Sequence, residues 1–266
     1  MSHGSDSELP VLVDGRVLIW TALLDGSTKP RLSYLAGLLS EEETRRASRF
    51  RFDQDRTRFV VCRGTLREIL ASYLKIEPQT VEFTYGEHGK PYCMAPTGRI
   101  VSPIRFNVSH SAHYAIFAVS TSEVGVDIEV IRPMPEMEAL VERYFSVPER
   151  KAFYSVAPDL QLKAFLSCWT RKEAYVKARG DGLSNPLDQC NVSLAPSLPG
   201  RSVNAHGAPS DQLEWSLHSF DVFTDTVAAL VCRRNCLPHF GGPWPAAVTP
   251  YKMESPPAKP QGPAGG

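Results

Sequence analysis

No stretch of this chain is long and apolar enough to suggest a membrane-spanning helix, which takes roughly 18–20 consecutive apolar residues. Met1 to Pro10 carry no basic segment ahead of a long apolar run, so no secretory signal is expected. Net charge is missing too: 29 Lys and Arg are balanced by 29 Asp and Glu. That balance argues against a generic nucleic-acid binder, although charge can still be concentrated locally. Cysteine is sparse and scattered, at Cys62, Cys93, Cys168, Cys190, Cys232 and Cys236. Only the last two lie close together, and no second pair completes a zinc set. They read as reduced thiols of a cytoplasmic protein. What is present is ordinary. With 42% hydrophobic and 22% charged residues, the 266-residue chain reads as a soluble globular protein of one large domain or two small ones.

The apolar pattern sets an order of elements. After a loose leader (1–14), Arg16 to Leu24 reads as a strand and Arg31 to Leu39 as a short helix. Ser40 with Glu43 three residues on fits a capping box that starts the next helix. Asp53 to Lys75 is a long helix with Phe59, Leu66, Ile69, Leu70, Tyr73 and Leu74 on its apolar side. Strands follow at Val81–Tyr85, Phe106–Val108 and Tyr114–Val119. Then the pattern starts again: a strand at Val124–Val130, a helix from Pro148 to about Val156, and a long helix Asp159–Arg179 closed by Gly180. Strands come last, near Cys190–Leu194, Leu213–Phe220 and Thr226–Cys232. The expected fold is therefore α+β, with two similar lobes (15–122 and 123–237) related by a pseudo-two-fold axis. The junction between lobes is a favoured ligand site. From Pro238 the chain is rich in Pro, Gly and Ala, and this tail (238–266) is expected to be largely disordered.

The strand Val124–Val130 carries two acids, Asp127 and Glu129, one pleat apart on the same face. They are either a wet face of the sheet or half of a cation site, because close carboxylates repel unless a cation sits between them. The second long helix contains W-T-R-K-E-A-Y-V-K, which puts Trp169, Glu173 and Lys177 on one face. Glu173 and Lys177 read either as a surface i,i+4 ion pair or as a third carboxylate with a phosphate-binding lysine, Lys172 lying beside them. Trp169 reads as core. Mg2+ takes a few carboxylates, keeps some water and uses substrate phosphates for the rest, so three acids suit it. Arginines crowd residues 45–67, among them Arg45, Arg46, Arg49, Arg51, Arg56, Arg58 and Arg63. Most read as a solvated face, yet two or three pointing into the cleft would hold a phosphate. The loop Gly86–Pro91 offers Lys90, and the turn Asn107–Ser111 offers a hydroxyl and an imidazole. His113 reads as structural.

F-N-V-S-H-S (106–111), G-V-D-I-E (125–129), W-T-R-K-E-A-Y-V-K-A-R-G-D-G-L (169–183) and the G-K-P loop (89–91) occur in the order and spacing of the 4'-phosphopantetheinyl transferases. The doubled pattern and the chain length resemble the Sfp type. The resemblance runs from about Leu39 to Leu194, and weakly to Cys232. It implies transfer of the phosphopantetheine arm of coenzyme A to a serine of an apo acyl or peptidyl carrier protein, with Mg2+, releasing adenosine 3',5'-bisphosphate. By position, Asp127, Glu129 and Glu173 resemble the family's metal carboxylates, and Glu173 and Lys177 its catalytic pair, with Lys177 also on the pyrophosphate. Arg46, Arg58 and His110 resemble the cations around the 3'-phosphate. Gly89, Lys90, Pro91 and Ser109 match the loop and turn beside the nucleotide. One departure is Glu43, where a second basic residue is expected. Its capping role is a sufficient local reason, and Arg45 is a candidate replacement.

The expected assembly is a monomer that acts on carrier proteins, with no nucleic acid and no membrane. Apolar and basic residues around Phe145–Phe153 are a candidate docking surface for the carrier. Two other functions use the same residues: a Mg2+-dependent nucleotide phosphodiesterase, and a non-catalytic coenzyme A-binding module.

Overall fold

The computed structural model describes residues 10–25, 28–96, 101–180, 182, 187–194, 204–205 and 215–241. The first half runs β1 (Arg16–Leu23), α1 (Lys29–Gly37), α2 (Glu41–Ser48), α3 (Asp53–Leu74), β2 (Phe83–Tyr85), β3 (Pro91–Cys93), β4 (Arg105–Ser111) and β5 (Tyr114–Ser120). The second runs β6 (Val124–Val130), α4 (Met137–Tyr144), α5 (Val147–Tyr154), α6 (Pro158–Arg179), β7 (Cys190–Asn191), β8 (Asn204–Ala205), β9 (Trp215–Phe220), β10 (Thr226–Arg233) and β11 (Leu237–Phe240). The expected doubling is visible in the sheets. The order β1-β5-β4 recurs as β6-β10-β9, antiparallel at every step.

Strand alternation explains the layering. Val17 and Ile19 of β1 face Val124, Val126 and Ile128 of β6, so the two sheets share an apolar interlayer. The opposite face of β1, with Trp20 and Ala22, joins Val61, Leu66, Ile69 and Leu70 of α3 in a first outer core. Phe165, Ala174 and Tyr175 of α6 pack with Val227, Ala229 and Val231 of β10 in the second. The result is helix, sheet, sheet, helix.

The boundary expected at 238 is corrected. Pro238, His239 and Phe240 lie in β11, which pairs parallel with the open edge of β1. An edge strand tolerates proline, so composition alone disguised it. Gly241 then passes against Trp20, where any Cβ would collide with the indole ring. The expected leader up to residue 9 and the tail from 242 lie outside the described residues. The residues read as a turn, Asn107–Ser111, are strand. β4 runs through Ser111, and Ala112–His113 alone turn the hairpin, with Ala112 at φ 50°.

Candidate active site

The site is built where α6 lies on β6. A Cβ on Gly125 would collide with the Ala174 carbonyl oxygen and the Ala178 nitrogen, so only glycine lets the helix come this close. Asp127 and Glu129, at positions two and four after Gly125, share its face. Trp169, Glu173 and Lys177 of α6 meet them in a cavity of about 300 Å³, closed on the first-half side by Val108, Ser109 and His110 of β4. Asp127 is 4% exposed, and its Oδ1 accepts from Lys177 Nζ at 2.6 Å and from Ser109 Oγ at 2.7 Å. Its Oδ2 is buried with no hydrogen-bond partner. Glu129 accepts from Ser111 Oγ at 2.7 Å.

The trio repels itself. Burial pushes the Glu129 carboxyl above its ordinary range, and Asp127 adds to the rise against the Ser111 hydrogen bond. Burial also raises Glu173, reinforced by the Asp127 and Glu129 charges. In this structure Lys177 supplies the compensating charge. Among the described residues no three His, Cys, Asp or Glu side chains are gathered as a ready cluster for a metal ion. Lys177 and the serines take oxygens that a metal would use. The donor set nevertheless suits a hard divalent cation: all ligands would be carboxylate oxygens, one is an orphaned buried atom, and two belong to carboxyls whose charge is disfavoured by burial and by acidic neighbours.

A larger cavity of about 660 Å³ adjoins the first, the two sharing Val108 and His110. Arg46, Arg58, Arg63, Arg132 and Pro91 line it, with Phe50, Phe59 and Phe106 as apolar wall. Arg58 donates to both oxygens of Asp25, at 2.9 Å each. That hydrogen-bonded pair holds the Asp25 carboxyl below its usual range. Arg46 lies over the Phe59 ring. Burial lowers the His110 pKa, and Lys177, Arg46 and Arg58 lower it further, Asp127 opposing. The imidazole thus sits among cations between an acidic chamber and a basic one.

The structure brings together Asp127, Glu129, Glu173, Lys177, Ser109 and His110, and sets Arg46, Arg58 and Pro91 next door. It does not bring Lys90 to either cavity. Lys90 is buried and donates to Glu123 Oε2 at 2.5 Å and to the Ala178 carbonyl at 2.7 Å, a strut between the halves. Burial lowers its pKa against the pull of Glu123. Gly89 lies in the exposed turn ahead of it, at φ 81°. Lys172, expected near phosphates, is 0% exposed and bonded to Glu149 at 2.7 Å. Glu43 caps Ser40 and pairs with Arg63 and with Arg67, the latter at 2.7 Å. Arg45 points outward, its Nε on the Glu41 carbonyl. Within the candidate docking surface around Phe145–Phe153, the two phenylalanines themselves are fully buried, while Val147 and Tyr154 are exposed. Trp169 stacks on Phe165, as a core residue would, yet also walls the cavity. The sequence reading missed Asp25, Arg132 and the functions of Gly125 and Ser111. Only Gly125 carried a local signal, a glycine interrupting a Val-rich strand.

A carboxylate trio with a lysine, Asp127 buried and Glu129 and Glu173 half-buried, beside a basic cavity and between two α+β halves, is an arrangement suited to transferring a phosphate-bearing group. The chain belongs to the 4'-phosphopantetheinyl transferases. Residues 123–232 match the model of the 4'-phosphopantetheinyl transferase superfamily, and residues 26–122 match 4'-phosphopantetheinyl transferase, N-terminal. The chain is 38% identical over 198 residues to 4'-phosphopantetheinyl transferase HetI of Nostoc sp., covering 73% of this chain and 81% of that one. It is 38% identical over 199 residues to a putative 4'-phosphopantetheinyl transferase of Synechocystis sp., covering 73% and 78%. To 4'-phosphopantetheinyl transferase Sfp of Bacillus subtilis it is 30% identical over 156 residues, covering 59% and 66%.

Proposed function

We propose that this enzyme moves the 4'-phosphopantetheine arm of coenzyme A onto a serine of an apo acyl or peptidyl carrier protein, releasing adenosine 3',5'-bisphosphate. The observation that carries the reading is the junction at His110, where the acidic chamber opens beside the basic cavity. A dinucleotide-sized anion lying across it would put its nucleotide phosphate among Arg46, Arg58 and His110 and its pyrophosphate near Lys177. Asp127, Glu129 and Glu173 would hold Mg2+, which would neutralise the pyrophosphate as a Lewis acid. The serine oxygen attacks the phosphorus next to the pantetheine. The P–O bond to the nucleotide breaks, and the electron pair leaves with the adenosine bisphosphate. Lys177 stabilises that leaving charge. The serine proton passes to Glu173, directly or through water.

The two lobes, 15–122 and 123–237, act as one monomeric unit in this reading, and the site depends on both. Cytoplasmic location accords with a reaction on coenzyme A; among the described residues no helix is long and apolar enough to cross a membrane. The test is incubation with an apo-carrier protein, coenzyme A and Mg2+, read by intact mass. A carrier heavier by one phosphopantetheine supports the reading, and an unchanged carrier overturns it. Nucleotide release without carrier would mark a phosphodiesterase, and binding without turnover a coenzyme A-binding module.

A further inference from the structure

Asn107, Ser109 and Ser111 of β4 stand two residues apart and share one face. β4 belongs to the first-half sheet and β6 to the second, so no backbone ladder joins them. Their side chains do. Asn107 Oδ1 accepts from the Val126 N–H at 2.8 Å, Ser109 Oγ donates to Asp127 Oδ1 at 2.7 Å, and Ser111 Oγ donates to Glu129 Oε2 at 2.7 Å. The contacts run in order along both strands, Asn107, Ser109 and Ser111 meeting Val126, Asp127 and Glu129. Ser111 is distinct among the three. Its oxygen also accepts from the Val130 N–H at 3.2 Å, while Ser109 accepts from Lys177. A hydroxyl has one proton. With its lone pair engaged by the backbone of β6 and its surface 8% exposed, that proton has one destination, the Glu129 carboxylate.

We infer that Ser111 is a positioning residue: it pins one oxygen of Glu129 to the β6 backbone so that the carboxylate faces the chamber shared with Asp127 and Glu173. The first half thereby sets the geometry of acids that belong to the second. The inference rests on the reading of those acids as a divalent-cation site. Hydrogen-bonded partners of metal-bound carboxylates are worth about 10- to 100-fold in metal affinity.

The experiment counts Mn2+ bound to the full chain by electron paramagnetic resonance, with saturating coenzyme A, and measures the unfolding temperature of every sample. Ser111→Ala and Ser111→Cys are expected to weaken Mn2+ binding about 10-fold or more, and Ser111→Thr to restore it. The cysteine variant keeps size with a poorer donor, so it reads the hydrogen bond even if the alanine variant fails to fold. In the transfer assay the Mg2+ concentration for half-maximal rate should rise by the same factor, with the coenzyme A KM unmoved. Wild-type Mn2+ affinity in folded Ser111→Ala and Ser111→Cys overturns the inference alone. Absence of Mn2+ binding by the wild-type chain overturns both the inference and the cation-site reading.

Discussion

The two halves are built on one plan and used differently. α3 and α6 both have 22 residues and both end on a left-handed cap, Lys75 and Gly180. Each is preceded by a capping-box helix, α2 on Ser40 and Glu43 and α5 on Ser146 and Glu149. Each capping glutamate is buried and reaches back to the fifteenth residue of the following long helix, Glu43 to Arg67 and Glu149 to Lys172. Each of those cations also caps backbone carbonyls, Arg67 that of Val81 and Lys172 those of Leu187 and Cys190. The sixteenth residue is glutamate in both helices. Glu68 meets Arg31 in an ion pair, but Glu173 meets Asp127 and Glu129. The strand under each helix makes the same contrast. Outward from the interlayer, β1 presents Trp20 and Ala22 to α3, while β6 presents Gly125, Asp127 and Glu129 to α6. One half fills this space as core. The other keeps it as a charged chamber.

The largest expected effect separates the two helix glutamates. Glu173→Gln removes the proposed proton acceptor and one carboxylate of the trio, and transfer is expected to fall about 100- to 10,000-fold. Glu68→Gln, at the matching position, is expected to leave kcat within about twofold and to act on stability only, since Glu68 is held in a bidentate pair with Arg31. Steady-state transfer rates of both variants check this. Equal losses would mean that the two halves share the chemistry.

The capping glutamates are expected to behave alike. Removing one partner of a buried ion pair strands the other, at about 3–5 kcal/mol. Glu43→Gln and Lys172→Met should each lose about that much in denaturant unfolding, while the folded fraction keeps its transfer rate. A catalytic loss in Lys172→Met beyond its loss of folded protein would return Lys172 to the phosphates.

A smaller effect is confined to the basic cavity. Asp25 fixes Arg58 through Nε and one terminal nitrogen. Asp25→Ala is expected to raise the coenzyme A KM about tenfold, roughly 1.4 kcal/mol, with kcat unchanged. Dephospho-coenzyme A, lacking the 3'-phosphate, should show no such rise. An equal rise for both would place Arg58 away from that phosphate.

Much of this plan could be read from the chain. Local rules gave the Ser40 cap, both long helices and β6 to within a residue or two, because caps and periodicity act over short spans. The four motifs brought Asp127, Glu129, Glu173 and Lys177 to one chamber. The failures are all matters of direction. Lys90 reads as a residue beside the nucleotide, and Lys172 as one near its phosphates, because a lysine in a motif looks the same whether it faces a cleft or a core. Burial by elements far along the chain decided: Lys90 found Ala178, and Lys172 found Glu149. Around Phe145–Phe153 the same rule splits the segment, the two phenylalanines turning inward while Val147 stays exposed. Ser146 and Glu149 form an S-x-x-E box as plain as that of Ser40 and Glu43, and a search for the repeat at its capping positions finds it.

The pH dependence of stability sets two carboxylates of opposite shift against each other. Burial pushes the Glu43 carboxyl up, but Arg67 and Arg63 outweigh it and hold the folded value below the ordinary one. Its contribution is therefore full above the unfolded value of about 4.5 and is lost as pH falls through the folded value. Glu173 is shifted the other way. Its folded carboxyl binds a proton more tightly than the unfolded one, so its charge costs stability, and the cost appears as pH rises from about 4.5 through the raised folded value. Without divalent cation, Glu173→Gln should therefore unfold at a higher temperature than wild type at neutral pH, and the gain should vanish toward pH 4. Glu43→Gln should show the reverse: a deficit at neutral pH that narrows under acid. Thermal unfolding across this range checks both signs. A Glu173→Gln variant less stable than wild type at neutral pH would mean that this glutamate is held by partners as Glu68 is, and the contrast between the two helices would fail at its central position.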